Sequence, residues 1–326
     1  MDKGEKFEYL EYKTGKEVQI TKIPIKKEGI YYLSGEENYW LISAGKTKDL
    51  QNPFVEKSII GIAWDKLNIS DVKENEKEDL KDLLEKEYSE LKKFYETIAG
   101  YRSYISGTAT KLIRFVNEMN LGDIVVLKDR GNNKVYFGKI ISEALDYEKD
   151  DLPVDPLVGN CNKVRKVRWL KKVEKDEIGS ELKLAFTARH ALSAMKNEKV
   201  IDEVNREMFS YFYRGENLHM VFRVGIEKDI PHDDFIEFQE LIHNLKNECI
   251  TREKTENIFN IKTNVQSPGP IEFFGNPEII KYVLAGLGIG SGIGMMKNYG
   301  IIKKKLKLKE PEKEDKEIED GFSEGN

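Results

Sequence analysis

A tryptophan stands at the end of a short apolar run, Ser58-Ile-Ile-Gly-Ile-Ala-Trp64-Asp65, just before a polar, acidic loop. So placed, Trp64 either completes the core of a small barrel or forms one wall of a pocket for a flat ring. In the second case stacking is worth about 1–3 kcal/mol per base. A second chemical candidate is Lys163-Val-Arg-Lys-Val-Arg-Trp169, with Lys171 and Lys172 behind it. On a strand Lys163 and Arg165 share one face, and Lys166 and Arg168 the other. One pair can then follow a phosphate backbone, positioning without reading sequence, or the cluster is a solvated face that binds nothing.

Little in the chain points to catalysis. Cys161 and Cys249 are far apart, and His190, His219, His232 and His243 are scattered without ligand spacing, which argues against a metal centre. His232-Asp233-Asp234 follows Pro231 and suits the N-terminus of a helix better than an acid–base group. No glycine-lysine phosphate loop is present. An enzyme would need the carboxylates Asp233, Asp234, Glu237 and Glu240 gathered in a pocket. The expectation is a non-enzymatic binding protein with no cofactor. With 34% charged residues and a net charge of −5, any attraction for nucleic acid must come from a local basic patch. The polar start, Met1-Asp-Lys-Gly-Glu-Lys, and the few thiols suggest a reducing, cytoplasmic setting.

These residues need elements to position them. Residues 1–30 read as an extended lead-in, with weak alternation that allows an added strand. Strands are expected at Tyr39–Ser43, Ile59–Trp64, Gly122–Leu127, Val135–Ile141 and Lys163–Trp169, with Gly138 at a bulge. Lys73–Glu96 places Leu80, Leu84, Tyr88 and Leu91 at helical spacing, and further helices are expected at Ala109–Met119 and Leu184–Met195. Residues 31–196 therefore predict a mixed β-barrel with flanking helices. Residues 197–275 predict a small α+β domain: a hairpin around Arg214-Gly215-Glu-Asn217, a helix over Asp234–Leu245 and a strand over Asn257–Val265.

The order of pieces in the barrel resembles the PUA-like family that includes EVE and YTH domains. It is most similar to the N-terminal readers of modification-dependent restriction enzymes. The resemblance is carried by Tyr39-Trp40-Leu-Ile-Ser43-Ala-Gly45, Ile60-Gly-Ile-Ala-Trp64-Asp65 and Phe115-Val-Asn-Glu-Met-Asn-Leu-Gly122-Asp123-Ile-Val-Val. It continues through Gly138-Lys-Ile, Leu145-Asp146-Tyr147 and Val167-Arg168-Trp169-Leu. It implies a PUA-like barrel whose pocket receives a flipped, modified base, with Trp64 as a wall. It also implies polar help from Ser43, Gly45, Lys46 and Asp65 at the strand ends. YTH members carry a second tryptophan in the loop before the Val-Arg-Trp strand, whereas Asp151–Asn162 has none. Either Tyr147, Tyr101 or Tyr104 completes the cage, or the cage is incomplete. The implied partner is nucleic acid with a modified, most simply methylated, base, DNA ahead of RNA, with Lys46, Lys163, Arg165, Lys166 and Arg168 on its backbone.

Beyond the barrel, residues 276–302 are apolar and glycine-rich. If helical, Gly286, Gly290 and Gly294 lie on one face, a small-xxx-small pattern that lets helices approach closely in a membrane or an oligomer. A buried glycine-rich turn is the plainer alternative, because each glycine costs a soluble helix about 1 kcal/mol. Residues 303–326 form a charged tail of disordered composition. Together these features suggest a modified-base sensor coupled to a membrane-active or oligomerising C-terminal region, as in anti-phage defence. The alternative is a soluble RNA-binding or RNA-modification accessory factor.

Overall fold

A computed structural model describes residues 7–14, 19–43, 51–128, 133–147, 152, 154–155, 157–187, 191–224, 231–254, 258–263, 270–287, 304 and 308–309. The chain is mixed α+β, with curled sheets forming a half-barrel and several helices. It divides into two compact units. A central unit groups Glu11–Ile23, Glu37–Ile201 and Glu317–Asn326; a C-terminal unit groups Met1–Leu10, Pro24–Glu36 and Asp202–Lys316.

The opening residues contribute three strands, β1 (Phe7–Thr14), β2 (Gln19–Lys27) and β3 (Ile30–Leu33). The central unit continues with β4 (Tyr39–Ser43), α1 (Gln51–Glu56) and β5 (Ile59–Ile62). Then come α2 (Ile69–Glu74), α3 (Lys77–Glu87), a 3₁₀ turn at Ser89–Phe94, α4 (Ile98–Ile113) and a π-turn at Arg114–Glu118. Strands β6 (Ile124–Lys128), β7 (Lys134–Ile140), β8 (Leu145–Asp146), β9 (Val154–Asp155) and β10 (Gly159–Asn160) follow. The unit closes with β11 (Lys163–Glu174), α5 (Ser180–Ala185) and β12 (Leu192–Met195).

Its main sheet runs β12-β4-β6-β7-β11-β5, with β8 also paired to β11. Strand β11 produces much of the curl. Lys163–Lys166 pair with β5, and Val167–Glu174 pair with β7. The register shifts between Trp169 and Lys171, opposite the glycine expected at a bulge. A Cβ on Gly138 would lie 2.5 Å from Val167 Cγ1 and 2.8 Å from Trp169 Cε3, so only glycine lets the two strands close there.

Two helical expectations change. The single helix read over Lys73–Glu96 is three pieces, broken at Asn75, which is extended, and at Tyr88. Tyr88 is 1% exposed, and its hydroxyl accepts from Lys66 N at 2.9 Å. A long-range bond thus interrupts what local spacing would continue. The helix read over Leu184–Met195 ends at Ala185, and Leu192–Met195 instead pairs antiparallel with β4. The apolar residues Leu192 and Met195 are buried by that pairing.

The chain crosses into the C-terminal unit within α6 (Glu198–Met208). There follow β13 (Tyr211–Arg214), β14 (Asn217–Val224), α7 (His232–Glu253), β15 (Phe259–Thr263), β16 (Pro270–Gly275), α8 (Pro277–Gly286) and β17 (Leu308–Lys309). Its sheet runs β1-β2-β3-β13-β14-β16-β15, with β17 on β14. Residues 1–30 are therefore more than a lead-in, because β1 to β3 extend this sheet. Helices α7 and α8 share a core with it, including Phe222, Phe238, Phe273 and Ile280.

Candidate functional site around Trp64

Strand β5 ends at Ile62, and two residues later Trp64 has φ +88°, a left-handed conformation rare for so bulky a residue. Such a residue stores about 1–3 kcal/mol of strain and persists only where its surroundings over-determine it. Here they do. Trp64 N donates to Val158 O at 3.1 Å, while its carbonyl accepts from Lys163 Nζ at 2.7 Å and Leu67 N at 3.2 Å.

The indole is 7% exposed and sits among tyrosines. Tyr88 meets it edge-on at 4.8 Å between centroids, and Tyr104 lies tilted at 5.8 Å. Tyr95 packs on Tyr104 at 5.2 Å and on Tyr101 at 5.9 Å. Tyr95 and Tyr104 are the half-buried members; Tyr88 and Tyr101 are buried. Burial pushes the Tyr104 phenol up to about 12 and raises Tyr88 as well, so both hydroxyls stay protonated at neutral pH. The ring is thus no open wall.

Asp65 turns its carboxylate inward. It accepts from Asn160 N at 3.0 Å and from Tyr88 Oη at 3.4 Å. Gly159, at φ +81°, has to be glycine twice over, since a Cβ would fall 1.9 Å from Asp65 Oδ2. The β9–β10 segment and the Trp64–Asp65 turn therefore hold each other.

The basic strand behaves differently from the phosphate-facing row expected of it. Lys163 is 0% exposed and donates to Trp64 O and, at 2.8 Å, to Asn162 Oδ1. Burial brings its ammonium down to about 8, opposed by Asp146 and Asp65. Arg165, 2% exposed, donates to three carbonyls, Phe115 O at 2.8 Å and Ser142 O and Val116 O at 3.0 Å each. Two of these are orphan carbonyls in the π-turn that ends α4. Both cations are thus structural, and neither meets a phosphate. Lys166 and Arg168, on the other face, are half-buried.

The remaining expected residues are placed as follows. Ser43 is buried at the end of β4, where its N–H donates to Ala191 O. Gly45 and Lys46 lie outside the described residues. Tyr147 is half-buried against the same core, its N–H bonded to Asn162 O at 2.6 Å. Asp123, from the motif beginning Phe115, accepts from Trp40 Nε1 at 2.8 Å and from Asn38 N and Asn120 N, and burial raises its pKa despite them. The residues that sequence reasoning passed over are Tyr88, Asn162 and Gly159. Only Gly159, a glycine in a loop beside Asn160, carried a local signal.

In the C-terminal unit, Gly286 ends α8, and a Cβ there would lie 2.5 Å from Leu245 Cδ2 on α7. Gly290 and Gly294 lie outside the described residues, as does most of 303–326. No described helix is long and apolar enough to cross a membrane. Of the four carboxylates an enzyme would need, Glu240 borders a cleft of about 520 Å³ along α7, with Gln239, His243 and Asn244. Among the described residues no group of three or more His, Cys, Asp or Glu side chains is placed to hold a metal ion.

The class of protein so defined is an α+β chain with a half-barrel and an aromatic centre behind one strand end. Residues 40–193 match the model of a family described as a domain of unknown function, DUF8426. A search of the curated proteins finds no match. Among solved structures the chain is similar to protein Atu2648 from Agrobacterium tumefaciens at 11% identity, covering 52% of this chain and 93% of that one, with a TM-score of 0.24.

Proposed function

We propose that the central unit is a PUA-like module that binds nucleic acid carrying a modified base, with Trp64 as a wall of the base-receiving pocket. The observation that carries this reading is the left-handed backbone at Trp64. Filling a core does not require it, since Trp40 and Trp169 are buried at 3% and 1% exposure from ordinary strands. Strain of this kind gathers where a side chain has to be aimed. The bonds from Val158 and Lys163 aim the indole into the tyrosine group. A methylated base differs from its parent chiefly in its π face and one apolar group, which is what a ring of tyrosines around an indole can read. Such a module distinguishes marked from unmarked strands, the discrimination that anti-phage defence requires.

The test is a titration of the full chain against methylated, hydroxymethylated and unmodified oligonucleotides of both DNA and RNA. Trp64→Ala is compared with the parent after circular dichroism has shown that it is folded. The expected outcome is a preference for one modified strand that falls about 5- to 150-fold in the variant, the range that one stacked base supports. A folded variant with an undiminished preference overturns the assignment.

A further inference from the structure

If Lys163 and Arg165 are held inside, a strand that delivers a base to Trp64 needs another source of positive charge. The central unit has one on the helical side of the same tyrosine group. Lys92 Nζ lies 5.5 Å from the Tyr101 ring centroid, Lys93 Nζ 5.0 Å from that of Phe94, and Lys111 Nζ 5.8 Å from that of Tyr104. Among the described residues none of these three ammoniums is paired with a carboxylate. Of the acids nearby, Asp155 acts on Tyr104 and Glu96 is exposed beside Tyr95, while three others are engaged elsewhere. Glu90 is bound to Lys66 at 2.7 Å, which with a smaller contribution from Lys93 holds its carboxyl below the usual range. Glu85 faces Arg102 at 3.8 Å, and Asp65 is turned inward. Burial lowers the Lys111 ammonium, so an anionic ligand there would be repaid by restoring its counter-charge.

The same face exposes apolar surface. Phe94 is 58% exposed on the 3₁₀ turn that carries Lys92 and Lys93, and Ile98 is 70% exposed on the first turn of α4, whose last turn carries Lys111. On the β9–β10 side, whose Val158 carbonyl holds Trp64, Val154 is 60% and Leu157 49% exposed. A duplex offers only phosphates and groove edges to such a surface. A single strand offers phosphates and π faces in alternation, which is what unpaired ammoniums beside the open Phe94 ring complement.

We propose that Lys92, Lys93, Phe94, Ile98, Tyr104 and Lys111 form the docking surface for single-stranded nucleic acid. The ammoniums meet phosphates, and Phe94 stacks a nucleotide neighbouring the one presented to Trp64. This inference rests on the base-reading role of Trp64 for its direction and on the unmatched charge for its substance.

The experiment titrates the full chain with fluorescein-labelled single-stranded and duplex DNA, each unmodified and modified, between about 50 and 300 mM salt. It uses the parent, the triple variant Lys92→Gln/Lys93→Gln/Lys111→Gln and the single variant Phe94→Ala. Lys92, Lys93 and Phe94 are open to solvent, Lys111 is half-buried, and glutamine is shorter than lysine, so both variants should fold. In the triple variant the affinity for every single strand is expected to fall at least tenfold at low salt. The slope of log K against log salt should shrink by about 2, the value for three phosphate contacts on a single strand. The ratio of modified to unmodified binding should stay as in the parent. Phe94→Ala should weaken single-strand binding several-fold and leave the slope alone. Parental affinity and slope in the triple variant overturn this surface, whatever Trp64 does. Duplex bound more tightly than single strand, with the lysine variants unaffected, overturns it as well. Lost salt dependence in a protein that shows no modified-base preference at all leaves this surface standing and removes the role proposed for Trp64.

Discussion

Each unit buries an aromatic centre beside ionisable groups, and the two centres are built in opposite ways. In the C-terminal unit the His219 ring lies flat between Phe212 and Phe274, at 4.7 and 5.2 Å with interplanar angles of 14° and 11°. Its Nδ1 is 2.5 Å from Glu272, and the surrounding cations face carboxylates: Arg206 with Glu272, Arg223 with Glu207, and both Arg214 and Lys262 with Asp202. His219 sits in an extended strand with no backbone strain. Around Trp64 the rings meet edge-on or tilted, the backbone is left-handed, the buried cation bonds to carbonyls, and among the described residues the outer lysines Lys93 and Lys111 are in no ion pair. Stacked rings and charges that face one another describe a core held by its own contacts, although among the described residues Arg206 Nε and Glu272 Oε2 are buried there without a hydrogen bond. Strain beside unpaired ammoniums is what the base-reading role proposed for Trp64 would draw on.

The sharpest way to break that contrast is to ask each backbone what it would prefer. Removing the Trp64 side chain is expected to cost about 3–5 kcal/mol, as for a large buried aromatic. At φ +88°, however, glycine is unstrained and alanine is not, so Trp64→Gly should be more stable than Trp64→Ala by about 1 kcal/mol. At His219 the order should be the usual one, with glycine worse than alanine by about 0.5–1 kcal/mol. Equilibrium urea unfolding of the four variants decides it. Glycine worse than alanine at both positions would mean that Trp64 carries no special strain.

A smaller effect separates two lysines. Burial holds Lys163 at about 8, well below its ordinary 10.5. A base whose folded pKa lies below its unfolded one binds its proton less tightly when folded. Unfolding therefore takes up protons between about 8 and 10.5, and the stability this group contributes rises with pH across that window. In the C-terminal unit the Lys281 ammonium is partly desolvated, yet hydrogen bonds to Glu28 at 2.5 Å and to Tyr213 raise its pKa overall. Its contribution is complete below 10.5 and is lost only as pH rises through the higher folded value. Between pH 7 and 9.5, Lys163→Met should therefore fall further behind the parent by about 1–2 kcal/mol. Lys281→Met should keep a constant deficit. Parallel urea titrations at the two pH values check both signs.

How legible was this in the sequence? The strands at Tyr39–Ser43, Ile59–Ile62 and Ile124–Lys128 follow from apolar runs bounded by polar turns, signals that lie within a few residues of one another. The break at Tyr88 was not legible, because its cause is a bond to Lys66 N, 22 residues away. The direction of β11 was hidden for the same reason. A strand alternating cations with valines reads as polar face out, unless one knows that carbonyls 50 residues earlier await a guanidinium. Trp64 stood out by its position at a strand end, but neither its left-handed backbone nor its enclosure by Tyr88 and Tyr104 has a local signature. Lys92-Lys93-Phe94-Tyr95 falls at the end of the stretch that spacing offered as one amphipathic helix, Lys73–Glu96. The break after α3 makes it a separate 3₁₀ turn, with Lys92 over Tyr101 and Tyr95 against Tyr104.

The smallest effect tests whether the apolar contacts of the C-terminal unit are made within the unit. Gly286 belongs to the stripe that spacing offered as a surface for a membrane or a second copy of the chain. Yet the atom a Cβ would meet is Leu245 Cδ2, on a helix of the same unit and the same core. A terminal methyl of leucine can turn aside, and alanine favours a helix over glycine by about 1 kcal/mol. These effects oppose each other, so Gly286→Ala should leave stability within about 1 kcal/mol of the parent and leave the molar mass by light scattering unchanged. A variant that keeps its stability but changes its oligomeric state would show that Gly286 faces another chain. The C-terminal unit would then hold an unmet contact of its own, and the contrast with the Trp64 centre would be one of degree.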